Sequence, residues 1–157
     1  MAGQTLIIDI EIDIDEPQEK FEDMVDHSKD MRPVWRYAKK KLETSFSQNF
    51  LSGGSLVGGW APLDRGYAAW KIENFPGAKK MDINGKLFRS ISNLEASAVN
   101  KIDKTSATFG TEVEYAKFHQ YGTSEMPARR IIFEPAGFSR DISDKIENFV
   151  VHGVVNG

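Results

Sequence analysis

Gly110-Thr-Glu-Val-Glu-Tyr-Ala-Lys-Phe-His-Gln-Tyr-Gly-Thr-Ser-Glu-Met-Pro-Ala-Arg-Arg130 is the stretch on which the reading of this chain turns. It combines a strand end, a short aromatic helix, a glycine turn and an Ala-Arg-Arg step. Tyr115, Phe118 and Tyr121 fall at i, i+3 and i+6, so a helical turn sets them on or near one face, with Ala116 allowing close packing beside them. That face is expected to be buried. Gly122 supplies the positive backbone angle that ends a short helix, and Pro127 cannot extend one, so residues 122–127 are expected to form an exposed loop. His119 and Gln120 carry hydrogen-bonding edges inside this turn, and the simplest reading is that they fix the loop against backbone groups.

Outward from this stretch the chain is modest in character. It has 157 residues, 40% of them hydrophobic, which suffices for one domain over 1–157 with a real core. No run approaches the ~20 apolar residues of a membrane span, and the first residues lack the layout of a secretory signal, so synthesis in the cytosol is expected. There are no cysteines, which removes disulfides, thiolate metal sites and cysteine nucleophiles. The nitrogen ligands are limited to His27, His119 and His152, and the sequence nominates no metal or cofactor. The net charge of −3 gives no general basic face for nucleic acid. The runs Lys39-Lys40-Lys41, Lys79-Lys80 and Arg129-Arg130 read as solvated surface.

Along the chain, Leu6, Ile8, Ile10, Ile12 and Ile14 alternate with Asp9, Glu11, Asp13 and Asp15, which predicts a half-buried strand over residues 5–15. Carboxylates two apart on a strand lie about 6.6 Å from each other, so this acidic face needs further ligands to hold a cation, and none is nominated. Residues 17–51 carry apolar residues three or four apart and predict helix. Pro33 divides it into a first helix ending near Met31 and a second starting near Pro33. Residues 52–83 are rich in glycine and read as a long, partly ordered loop or arm; Trp60, Leu63 and Trp70 there are too apolar to stay solvated in a monomer. A helix over 85–94, a hairpin over 95–111 turning at 100–105, a strand through Ile131 and Phe133, and a helix over 139–151 complete the pattern. The fold class expected is α+β, a mainly antiparallel sheet covered by amphipathic helices, with a long Trp/Gly-rich arm.

No Walker-type loop, G-x-G-x-x-G, G-x-S-x-G or H-E-x-x-H is present. Glu112, Glu114 and Glu125 stand near His119 in sequence, the minimum for general-base chemistry, yet neither a nucleophile nor a metal site accompanies them. A His-dependent nuclease or hydrolase is therefore the weaker reading, and no catalytic residue is assigned.

Tyr115-Ala116, His119-Gln120-Tyr121-Gly122 and Met126-Pro127-Ala128-Arg129, taken together, resemble the phage virion morphogenesis family, the tail completion proteins of Mu-like and P2-like phages. Gly59-Trp60-Ala61-Pro62-Leu63, Trp70-Lys71, Asn84-Gly85-Lys86-Leu87 with Ser90-Ile91, and Phe109-Gly110-Thr111 agree with it, so the resemblance covers about residues 33–135. The family usually continues Ala-Arg with Pro-Phe-Leu-Gly, where this chain has Arg130-Ile131-Ile132-Phe133. The resemblance implies a structural virion protein at the neck or head-proximal end of the tail, assembled in the host cytoplasm and needed for head–tail joining. It implies a ring of copies, six by analogy, contacting the tail tube or tail terminator and the head-closure or connector proteins, with DNA passing nearby and no membrane. A DNA-contacting accessory protein of the particle is the alternative. The residues expected at subunit or partner interfaces are Trp60, Trp70, His119, Gln120, Arg129 and Arg130, together with the edge of the amino-terminal strand.

Overall fold

Pro33 does divide the first helical stretch. In the computed structural model, which describes residues 15–92 and 98–155, helix α1 spans Asp15–Ser28 and α2 spans Arg32–Leu51, with the proline in the first turn of α2, where its missing N–H has no partner to lose. The corner between them is tied to the hairpin by Met31 N–H, which donates to Lys104 O at 2.7 Å. The strand expected over residues 5–15 falls outside the described residues except for Asp15, which begins α1.

Apolar residues three or four apart give α2 one apolar stripe, and its 20 residues, roughly 30 Å of helix, serve two separate apolar clusters. At its start, Val34 and Ala38 pack with Met31 and with Ile142 and Phe149 of the last helix, α6 (Phe138–His152). Near its end, Phe46 and Phe50 pack with Trp60, Met81, Leu87, Ile91, Val113, Ala116 and Ile131. Helix α6 carries Ile142, Ile146 and Phe149 inward, as their spacing requires. It is joined to α2 by Asp141, which accepts from Lys41 Nζ at 2.7 Å and from Tyr37 Oη at 3.1 Å. Helix α1 packs against α6, with His27 Nδ1 3.0 Å from Val150 O.

The hairpin consists of β1 (Ala98–Ile102) and β2 (Ala107–Thr111), antiparallel, pairing Ala98 with Thr111 and Ile102 with Ala107. Asn100 to Ile102, expected in the turn, extend the first strand, because Asp103 N–H reaches Ser106 O and closes the turn over four residues. Helix α4 (Lys86–Ser92) lies on this hairpin: Leu87, Ser90 and Ile91 are buried, and the Ser90 hydroxyl meets the Thr111 hydroxyl at 2.7 Å. The fold is α+β, as expected, with six helices and one two-stranded antiparallel sheet among the described residues. No helix among the described residues is long and apolar enough to cross a membrane.

Two expectations are corrected. The 52–83 segment holds regular structure, a 3-10 turn at Ser55–Val57 and helix α3 at Arg65–Asn74. Residues 131–133 form no strand; the Gln120 side chain, not a neighbouring strand, binds the backbone of Ile131 and Ile132.

Candidate docking groove

Helix α3 begins where Asp64 Oδ1 accepts from Tyr67 N–H at 3.0 Å, an N-cap that satisfies an orphan donor of the first turn. From this start, Lys71 is placed inward, 4% exposed, while Tyr67, Trp70 and Ile72 stay at the surface. Lys71 Nζ donates to Lys79 O and, at 3.1 Å, to Lys80 O, so a buried ammonium holds the loop after α3. Burial pushes the Lys71 pKa down, opposed by the nearby Asp82 carboxylate.

Helix α5 (Ala116–Tyr121) forms the facing element. Its inward residues are Ala116 and Gln120, an i, i+4 pair. The Gln120 side chain accepts from Ile131 N–H at 2.9 Å and Ile132 N–H at 3.0 Å, and donates to Ile132 O at 2.8 Å. That clamp fixes the rotation of α5, so Phe118 and Tyr121 project from its opposite side and Tyr115 from its flank. The expected burial of the aromatic face is therefore corrected: Tyr115, Phe118 and Tyr121 are all exposed, Tyr121 by 80%.

Gly122 ends α5 at φ 75°, with Ala128 N and Met126 O so close that no Cβ fits. The loop that follows is exposed, as expected, and is internally braced: Thr123 Oγ1 accepts from the N–H groups of Glu125 and Met126. It returns to Arg129, whose N–H donates to His119 O at 2.6 Å. Arg129 is 3% exposed, and its guanidinium donates to Ala61 O at 2.9 Å and Pro62 O at 2.7 Å.

Between α3 and this loop lies a groove of about 1000 Å³. Its floor carries Lys71, His119 and Arg129, and its walls include Tyr67, Ile83, Tyr115 and Met126. His119 Nδ1 is buried without a hydrogen-bond partner, and its pKa lies below the usual imidazole value because of burial and the positive charges of Arg129 and Lys71. Of the three nearby glutamates, Glu125 shares this groove, whereas Glu112 and Glu114 line a separate cleft beside Phe118 and Tyr121. None is hydrogen-bonded to His119 among the described residues. Among the described residues, no group of three or more His, Asp or Glu side chains is placed to hold a metal ion.

The structure separates the six residues singled out from sequence. His119 and Arg129 meet in the groove. Trp60 is buried behind it, its indole N–H on Arg130 O at 2.9 Å and its ring edge-on to Phe50 at 5.1 Å, so it serves its own chain's core. Trp70 is 45% exposed, stacked on Tyr67 at 5.5 Å and edge-on to Phe75. Gln120 and the exposed Arg130 lie away from the groove. Tyr67 and Lys71 were not among the expected interface residues, and Lys80 was read as solvated surface; the Asp64-Arg-Gly-Tyr67 cap was the available signal for the helix that positions Tyr67 and Lys71.

The order of these parts, aromatic α5, glycine stop, braced loop and Arg129 returning onto residues 61–62, is what a family comparison can recognise. The profile of the phage virion morphogenesis family matches residues 12–154. The chain belongs to that family. This virion morphogenesis protein therefore has a part in building a phage particle, in contact with other virion components. No curated protein and no solved structure matches the chain significantly.

Proposed function

We propose that this virion morphogenesis protein is a tail completion or neck component, which binds at the head-proximal end of the tail and is needed for heads to join tails. It works by docking and carries out no reaction. A ring around the DNA passage, six copies by analogy with tail symmetry, is the expected assembly, built from heterologous contacts that close by rotation.

The observation that carries this reading is the surface around the groove. Trp70 stacks on Tyr67 and meets Phe75 edge-on, yet all three remain exposed, and Ile72 and Ile83 are exposed as well. A contiguous apolar patch of this kind is costly to leave in water and marks a protein contact.

Phage particles produced without this protein test the proposal by electron microscopy. Filled heads and complete free tails that fail to join, with joining restored by added purified protein, are expected. Joined, infectious particles formed in its absence would overturn it.

A further inference from the structure

The groove floor holds two buried cations that are bonded to main-chain carbonyls. Lys71 and Arg129 are almost completely buried, and both direct their N–H groups at main-chain carbonyls. Lys80 does the same from the rim, its Nζ on Trp60 O at 3.0 Å. Among the described residues none of the three forms an ion pair with a carboxylate. Asp82 is close enough to act on Lys71 electrostatically, but its carboxylate accepts from Gly85 N–H at 2.8 Å. Asp64 and Glu125 stand on the groove lining, Asp64 engaged in capping α3. A buried cation bonded only to carbonyls retains much of its desolvation cost, and a carboxylate brought onto it from outside recovers part of that cost.

The walls are apolar. Tyr67, Met81 and Ile83 come from α3 and the segment after it, and Tyr115, Met126 and Pro127 from α5 and its loop. The chemistry that fits both floor and walls is a peptide alternating carboxylates with bulky apolar residues. In an extended peptide, neighbouring side chains point to opposite sides, so acids and aliphatics meet different surfaces at once. The sequence contains such a peptide, Ile8-Asp9-Ile10-Glu11-Ile12-Asp13-Ile14, immediately before α1 and outside the described residues.

We propose that the groove receives residues 8–14 of a second copy of this chain, their carboxylates directed to the Lys71–Arg129 floor and their isoleucines to the walls. That the donor is another copy rests on the ring reading above. Helix α1, which residues 8–14 precede in sequence, packs on α6, whereas the groove is lined from α3, α5 and the loops beside them. This head-to-tail arrangement is what a closed ring requires.

The chain has no cysteine, which makes a disulfide test clean. Full-length Ile10→Cys and Ile83→Cys variants are prepared separately, mixed and mildly oxidised. A disulfide-linked heterodimer is expected, its yield falling at high salt as screening weakens the charged contact. Absence of the heterodimer, or a double variant that closes only within single chains, overturns the proposal. A second variant neutralises the carboxylates of this segment, Asp9→Asn with Glu11→Gln and Asp13→Asn, and is expected to weaken self-association at least tenfold by sedimentation. Unchanged association overturns the proposal as well. Should the cross-link fail while particles lacking the protein still leave heads and tails unjoined, the groove assignment alone falls and the joining role stands.

Discussion

Gln120 holds Ile132 by both edges of its amide, Nε2 donating to Ile132 O at 2.8 Å and Oε1 accepting from Ile132 N–H at 3.0 Å. A side chain here takes the place of a neighbouring strand, and it also takes Ile131 N–H on the same oxygen. Truncation to Gln120→Ala leaves three backbone groups without partners beside the buried Ile131. At about 1 kcal/mol net for each bond, a loss of about 3 kcal/mol is expected. Urea denaturation measures it directly. Gln120→Glu, which keeps an acceptor but removes the donor to Ile132 O, is expected to fall between the two.

The close backbone approach at Gly122 makes a paired test. Gly122→Ala sets a Cβ against Ala128 N and Met126 O at a φ of 75°, whereas Gly77→Ala, at a φ of 85°, meets nothing within 4 Å. A positive φ strains alanine at both positions, by roughly 1–3 kcal/mol, and Gly122 with its ψ of −179° lies where essentially only glycine is found. The clash is confined to Gly122, so its variant is expected to be the less stable by thermal denaturation, with Gly77→Ala close to that shared cost.

Arg129 and Arg130 are adjacent and are expected to behave oppositely. Arg129→Met removes two charge-assisted bonds to Ala61 O and Pro62 O from a buried site, a cost of about 3 kcal/mol or more. Arg130→Glu alters an exposed side chain and is expected to stay within about 0.5 kcal/mol of the parent. Denaturation of the two variants side by side checks the contrast. Only the Arg130 variant is suitable for asking whether this step touches a partner.

His119 gives a pH dependence with a definite sign. Its folded-state pKa lies below the ordinary 6.5, so between those two values the unfolded chain binds the proton and the folded chain does not. Stability is therefore expected to fall as pH drops from 6.5 toward the folded pKa, by at most about 1.4 kcal/mol per pH unit for one group. Thermal melts between pH 7.5 and 5 report the slope, and His119→Gln is expected to flatten it.

Trp70→Ser separates docking from folding. The indole lies on the outer face of α3, in contact with the equally exposed Tyr67 and Phe75, so a stability change of less than about 1 kcal/mol is expected. Head–tail joining by the same variant is expected to drop at least tenfold. An assay of joined particles against a melting curve distinguishes this from simple misfolding.

The sequence disclosed what depends on one residue's backbone. Pro33 marked the start of α2, and Gly122 marked the end of α5. It misled where a short element takes its orientation from elsewhere. In a six-residue helix the i, i+3, i+6 aromatics look like an inward face, but the Gln120 clamp on residues 131–132 decides the rotation and turns Ala116 inward. The alternation of Ile131 and Phe133 looked like a strand because periodicity cannot tell a backbone partner from a glutamine. Helix α3 was hidden by the glycines around it, and no pattern in Trp70-Lys71 announces that the tryptophan stays at the surface while the lysine goes in. Of the groove, His119 and Arg129 were visible beforehand as polar residues in the central motif; Lys71 and Lys80 acquire their place only through carbonyls at 79–80 and 60.

The side-chain clamps on residues 130–132 have a bearing on how copies of the molecule meet. Asn49 and Trp60 both donate to Arg130 O, and Gln120 occupies the next two residues, so a segment extended enough to serve as a polymerisation template offers few unclaimed hydrogen bonds. That segment is thereby a poor place for copies of the chain to pair edge to edge into fibres.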